Sequence, residues 1–116
     1  MNNIDKRRHY ILMIDTETAN TFNEGKGLDY KSALVYDCGF AVIDTRGNVY
    51  ETYSFVNSDI FNIPELMASA YYMAKIPLYL TGLEDDSRTM ADTYTIRKTM
   101  LSVMEKYGIS EICAHN

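Results

Sequence analysis

The sequence lacks any apolar stretch near the ~20 residues that a helical membrane span requires. Its first apolar run, residues 10–14, is also shorter than the roughly 7–15 residues of a signal-peptide core, although Lys6, Arg7 and Arg8 precede it. These two absences predict an intracellular, cytoplasmic protein.

Cysteine is scarce, with Cys38 and Cys113 as the two thiols of the chain. Neither has a second cysteine or a histidine at the spacing of a zinc finger, and both lie in apolar runs. Free cysteines in such surroundings behave as small apolar side chains. We therefore expect two buried free thiols.

Basic residues are outnumbered, 11 against 16 acidic ones, which gives a net charge of −5. Proteins that hold a phosphate backbone by releasing counterions usually present a basic face. If this chain handles nucleic acid, the attraction must be local, or metal ions must neutralise carboxylates where phosphate arrives.

The 116 residues, of which 47% are apolar, suit one compact domain. No repeat, linker or low-complexity tract divides the sequence, so we assign residues 1–116 to a single domain.

Apolar runs predict four strands, at residues 10–14, 34–43, 49–56 and 111–115. A turn around Gly47 joins the second and third strands as a hairpin, and residues 18–31 form a long polar loop. Together with two helices these strands predict an α/β fold, with a mixed sheet in the order 3-2-1-4.

Two helices are predicted between the third and fourth strands. Asn62 caps the first helix, Pro64 lies in its first turn and Pro77 ends it. The second opens near residues 87–89 and ends at Gly108. Its predicted apolar stripe is formed by Ile96, Met100, Val103 and Tyr107 and is widened by Met90, Tyr94, Leu101 and Met104.

Asp15 and Glu17 follow the first apolar run directly. Side chains two residues apart in a strand point to the same side, and open α/β sheets bind ligands at the carboxyl ends of their strands. Two carboxylates there suit Mg²⁺ or Mn²⁺. The alternative is a pair of solvated acids, with Thr16 and Thr18 making local turns.

Residues 11–18, Ile-Leu-Met-Ile-Asp-Thr-Glu-Thr, resemble the first motif of the DEDD, or DnaQ-like, 3′–5′ exonuclease superfamily. Residues 35–42, in which Asp37 stands two before Gly39, resemble its second strand. Ala114-His115-Asn116 is similar to the opening of its second motif. Tyr71-Tyr72 and Lys75-Ile76-Pro77 are similar to phage-encoded members.

The resemblance implies a ribonuclease H-like fold and two-metal hydrolysis at the 3′ end of single-stranded DNA or RNA. It implies that Asp15 and Glu17 are the catalytic metal ligands for Mg²⁺ or Mn²⁺, and that Thr16 and Thr18 contact the substrate. The acids of the second and third motifs are not among these 116 residues. We therefore expect the N-terminal portion of such a domain, with little or no activity alone.

Alternatives remain open for single residues and for the function of the whole chain. Asp37 is expected to be a hydrogen-bonded acid near the site and not a metal ligand, and His115 to be structural. As a whole, the chain is alternatively a non-catalytic nucleic-acid-binding or assembly module that associates, as a homodimer, through its exposed fourth strand, or a ribonuclease H-like nuclease with a different arrangement of acids.

Overall fold

The computed structural model describes residues 4–5, 7–19, 22–23, 27–28, 34–68 and 73–115. It has an α/β fold with a five-stranded mixed sheet and several helices. The strands are β1 (Tyr10–Ala19), β2 (Phe22–Asn23), β3 (Gly27–Leu28), β4 (Leu34–Asp44), β5 (Val49–Asn57), β6 (Thr89–Ala91) and β7 (Ile112–His115). The helices are α1 (Ser58–Phe61), α2 (Pro64–Met67), α3 (Ile76–Glu84) and α4 (Thr93–Tyr107), with a 3₁₀ turn at Met73–Lys75. No helix in this described part is long and apolar enough to cross a membrane.

The sheet has the strand order β6-β5-β4-β1-β7. Strand β4 runs antiparallel to both β1 and β5, whereas β7 is parallel to β1 and β6 is parallel to β5. The predicted order of four strands is incomplete, because it omits β6. Strands β2 and β3 form a separate two-stranded sheet.

Residues 89–91 form β6 and not the opening of a helix, which corrects the prediction. They pair with residues 55–57 of β5, whose edge offers backbone groups that need partners. The helix begins later, because the Asp92 carboxylate accepts a hydrogen bond from the Thr95 N–H at 2.8 Å. Pairing with the edge of β5 therefore moves the start of the helix from residues 87–89 to beyond residue 91.

Strand β1 is twice as long as the apolar run that predicted it, 10 residues and not five. Its partner β4 supplies ladder bonds from Tyr10 to Ala19, with a β-bulge where Glu17 is followed by Thr18. The predicted loop at residues 18–31 consequently starts later and contains β2 and β3. Its remaining residues lie outside the described part of the chain.

The first predicted helix is divided into shorter pieces. Asn62 follows α1 as its C-cap, and α2 begins at Pro64 as expected for a proline in a first turn. Pro77 does not end a helix but lies in the first turn of α3, where its missing N–H costs nothing. The middle of the predicted helix, with Tyr71 and Tyr72, is not among the described residues.

Helix α4 covers one face of the sheet and ends at Gly108, as predicted. Ile96, Val103 and Tyr107 are buried against a cluster that includes Leu12 and Phe40. The widened stripe was wrong in part, since Tyr94 is 71% exposed, Leu101 is 53% exposed and Met90 is also exposed. Helix α4 therefore buries fewer apolar side chains against the sheet than its sequence pattern predicted.

The opposite face of the sheet carries a second apolar cluster formed with α1, α2 and α3. Its buried members are Ala19, Tyr36, Val56, Ile60, Met67 and Tyr79. Adjacent residues in a strand point to opposite faces, so Val56 belongs to this face and Phe55 to the face of α4.

The two thiols differ in burial. Cys38 is buried as predicted, whereas Cys113 is exposed, which corrects the prediction for that residue. Cys113 lies in β7, at the edge of the sheet, and pairs with Met13 of β1. An edge strand has a neighbour on one side, so its apolar residues are less covered than those of inner strands.

Candidate active site

Asp15 and Glu17 lie on one face of β1, because they are two residues apart in a regular strand. Asp15 is exposed and Glu17 is partly buried. The sequence suggested that both follow the end of the strand, but β1 continues to Ala19. The strand backbone therefore holds the Cβ atoms of both residues in a fixed relation.

Asp37 of β4 lies directly opposite Glu17 in the antiparallel ladder. Opposed residues of such a pair share a face, so Asp37 joins Asp15 and Glu17 on the same side of the sheet. The next pair on this face is Asp15 with Gly39. Because glycine has no side chain, no side chain of β4 covers the sheet directly beside Asp15. Three carboxylates thus come from two neighbouring strands.

The electrostatic effect of this arrangement falls on Glu17. Partial burial raises the pKa of its carboxyl group, and the charges of Asp15 and Asp37 raise it further. Lys75 acts in the opposite direction and lowers that pKa. The face is therefore a place where an added cation is favourable.

Asp37 is already compensated by two partners. The Tyr79 hydroxyl donates a hydrogen bond of 2.8 Å to one carboxylate oxygen, and Arg88 Nη1 donates one of 3.1 Å to the other. The Arg88 guanidinium also lies 4.4 Å from the centroid of the Tyr79 ring. Burial raises the pKa of the Tyr79 hydroxyl well above its usual value, and the bond to Asp37 adds to this. These contacts agree with the expectation of a hydrogen-bonded acid near the site.

The Arg88 side chain passes close over Gly82. A Cβ atom at Gly82 would lie 2.9 Å from Cδ of Arg88, closer than real contacts of this kind. The aliphatic stem of Arg88 therefore crosses α3 at the residue with no side chain. This contact helps to direct the guanidinium toward Asp37.

Sequence reasoning missed both partners of Asp37. Tyr79 stands after Pro77, where the predicted helix ended, and Arg88 stands where the next was expected to begin. They lie 42 and 51 residues from Asp37 in sequence, so no local spacing points to the contact.

The side chains of Thr16 and Thr18 point away from the acids, because they alternate with them along β1. Thr16 pairs with Cys38, which belongs to the cluster under α4. A contact of these residues with a ligand on the acidic face is therefore limited to their backbone groups.

His115 and Asn116 lie in the segment whose sequence is similar to the opening of a second motif. The backbone of His115 pairs with Asp15 in the parallel ladder, which brings the end of β7 beside the acids. The His115 side chain and Asn116 are outside the described part.

The donors suit a hard divalent cation, although they are few. Within the described ranges, no group of three or more His, Cys, Asp or Glu side chains is placed to hold a metal. Mg²⁺, however, is commonly held by one or two carboxylates, with water and substrate phosphate completing its shell. The Asp15 and Glu17 pair fits that mode of binding.

A shallow groove of about 300 Å³ adjoins Asp15 on the acidic face. Met13, Gly39, Ala41 and Thr52 line it, and the ladder puts all of them on the same side as Asp15. Two further grooves, beside Lys106 and beside Tyr94, border α4 and therefore lie on the other side of the sheet.

The sequence matches no protein-family model, and no curated protein and no solved structure matches it.

Proposed function

We propose that the chain carries the first metal-binding motif of a nuclease domain that hydrolyses nucleic-acid phosphodiesters at 3′ ends, as in the DEDD superfamily that it resembles. The observation that carries the proposal is the presence of the Asp15 and Glu17 carboxylates on one face of an inner strand, beside Asp37 and an open groove.

Asp15 and Glu17 would hold Mg²⁺ or Mn²⁺ in this proposal. When bound, the metal supplies a Lewis acid that activates water and neutralises charge on the phosphate. The two carboxylates would hold and orient the metal. Asp37 adds little net charge, because Arg88 compensates it.

The number of ligands limits what the 116 residues do alone. The family that the chain resembles uses four acids, and the matching positions here are two, Asp15 and Glu17. Two carboxylates leave most of the coordination shell to water, so we propose weak metal binding that tightens when a phosphate is added. Hydrolysis by this chain should be slow or absent.

Calorimetric titration with Mn²⁺ tests the proposal. Asp15→Asn and Glu17→Gln should each weaken binding by at least roughly tenfold, since even the loss of a supporting group around a metal often costs 10–100-fold. Glu105→Gln is the matched control, because Glu105 is exposed on α4, across the sheet from the acids. A single-stranded oligonucleotide should tighten Mn²⁺ binding by the unaltered chain.

Two results would contradict parts of this proposal. Equal Mn²⁺ affinity of Asp15→Asn and the unaltered chain would show that Asp15 does not bind the metal. Robust exonuclease turnover by the 116 residues, abolished by Asp15→Asn, would show that two acids suffice.

A second candidate function is assembly through the edge of the sheet. Among the described residues, β7 is the outermost strand of the sheet at this edge, Ile112 is 53% exposed, and Cys113 and Ala114 are exposed as well. An assembly module of this kind would be indifferent to Mn²⁺, so the same titration separates the two functions.

A further inference from the structure

Helix α3 brings positive charge to the acidic face from both of its ends. Lys75 is the N-cap residue of α3, and Arg88 follows four residues after its last residue, Glu84. Between them, the Tyr79 hydroxyl reaches Asp37, which lies opposite Glu17. Arg88 thus contacts the acidic face directly, and Lys75 stands at the other end of the same helix, where its charge acts on Glu17.

Lys75 lies one helical turn before Tyr79. Its backbone is in the helical region, with φ −90° and ψ −1°, so the usual relation between residues four apart holds. The side chains of Lys75 and Tyr79 therefore belong to the same side of the helix, the side that meets Asp37. The effect of Lys75 on the Glu17 carboxyl group agrees with this placement.

Arg88 is less suited to meet a ligand. Its Nη1 atom donates to Asp37 and, at 3.3 Å, to the Ser54 hydroxyl, while the guanidinium lies against Tyr79 and the stem against Gly82. Moving it would leave a partly buried Asp37 carboxylate without its cation, which is costly. Lys75 is exposed and carries its charge on a flexible stem.

We propose that Lys75 is a substrate-binding residue that contacts a backbone phosphate of a single-stranded nucleic acid whose end lies at Asp15 and Glu17. This inference rests on the proposed function. A chain with a net charge of −5 and the Asp15 and Glu17 carboxylates at the site repels an incoming nucleic-acid strand. A lysine beside those carboxylates attracts the phosphates locally, although the net charge of the chain repels them. Lysine is a common phosphate ligand.

Two effects of opposite sign, on Mn²⁺ binding and on oligonucleotide binding, distinguish phosphate binding by Lys75 from a structural role. Lys75→Gln removes a positive charge beside the metal-binding acids, so Mn²⁺ should bind about two- to five-fold more tightly. The same change removes a phosphate contact, so a single-stranded oligonucleotide should bind more weakly in the presence of Mn²⁺. The salt dependence of that binding should lose about 0.7 from its slope, the contribution of one phosphate contact on a single strand. General damage to the fold would weaken both kinds of binding.

Lys98→Gln is the matched control, because Lys98 is an exposed lysine on α4, across the sheet from the acids. It should leave Mn²⁺ affinity, oligonucleotide affinity and the salt slope unchanged. If Lys98→Gln reduces the salt dependence of oligonucleotide binding and Lys75→Gln does not, the inference is overturned and the nucleic acid binds at α4.

Asp15→Asn separates a failure of this inference from a failure of the proposed function. If Asp15→Asn abolishes Mn²⁺ binding while Lys75→Gln changes neither oligonucleotide affinity nor slope, the inference alone is overturned. If the unaltered chain binds neither Mn²⁺ nor the oligonucleotide, both are overturned.

Discussion

Asp44 shows how one residue organises a turn. It is 2% exposed, and its carboxylate accepts hydrogen bonds from the Asn48 amide at 2.9 Å and the Tyr50 hydroxyl at 2.7 Å. The backbone N–H groups of Arg46 and Asn48 also donate to it, and Arg8 Nη1 lies 3.0 Å away. These bonds, the Asn48 amide and the Tyr50 hydroxyl foremost, hold the pKa of Asp44 well below its usual value.

The low pKa of Asp44 predicts a loss of stability in acid. A carboxyl group whose pKa is lower in the folded state stabilises the protein above the unfolded pKa, about 3.9 for aspartate. That stabilisation is lost as the pH falls below this value toward the folded pKa. The melting temperature should therefore fall more steeply below about pH 4 in the unaltered chain than in Asp44→Asn.

Thermal melts followed by circular dichroism between pH 2 and pH 7 measure this difference. Asp44→Asn should be the less stable protein at pH 7, and the two curves should converge in acid. Asp85 and Asp92, whose pKa values are also lowered, are present in both proteins and do not affect the comparison. If the melting temperatures of the two proteins change in parallel over the whole pH range, Asp44 is not the source of the acid sensitivity.

At the scale of elements, α4 is defined by its two ends. Asp92 caps its first turn, and at its other end Gly108 has a left-handed backbone with φ 62°. The N–H of Ile109 donates to the Met104 carbonyl at 2.8 Å, which closes the end of the helix. The apolar stripe between these ends then packs on the sheet.

Gly108→Ala should lower the free energy of unfolding by about 1 kcal/mol, because a side chain disfavours the left-handed conformation. Gly108→Asn should cost less, since asparagine tolerates this region better than other residues with a side chain. Urea denaturation of the three proteins measures the series. Equal stability of Gly108→Ala and the unaltered chain would mean that the helix end rearranges without cost.

At the scale of the whole molecule, the sheet has two unlike edges. The outermost described strand at one edge, β6, has three residues, of which Met90 is an exposed apolar one, whereas β7 at the other edge exposes three in a row, Ile112, Cys113 and Ala114. An exposed apolar edge is a template for pairing with another chain. The net charge of −5 opposes association weakly at physiological salt, where screening acts over about 8 Å.

We expect the chain to self-associate through β7, most simply as a two-fold dimer. Sedimentation analysis at high micromolar concentration should show the dimer, and Ile112→Lys should shift it to monomer. Val49→Lys is the matched control, because Val49 is 59% exposed at the start of β5, away from β7. A clean monomer in the unaltered chain would mean that the edge is protected.

The sequence by itself determined the features that depend on neighbours along the chain. The period of α4 and its end at Gly108 follow from helix geometry, and the hairpin of β4 and β5 follows from apolar runs around a glycine turn. The shared face of Asp15 and Glu17 also follows locally, because side chains alternate in any strand.

The tertiary structure alone decided which distant groups meet. The register of β4 on β1 sets Asp37 opposite Glu17, and the packing of α3 and β6 brings Tyr79 and Arg88 to Asp37. Residues 89–91 became a strand because β5 offered an edge. These outcomes depend on which surfaces and backbone groups still need partners once the sheet has formed, and no spacing along the chain records that.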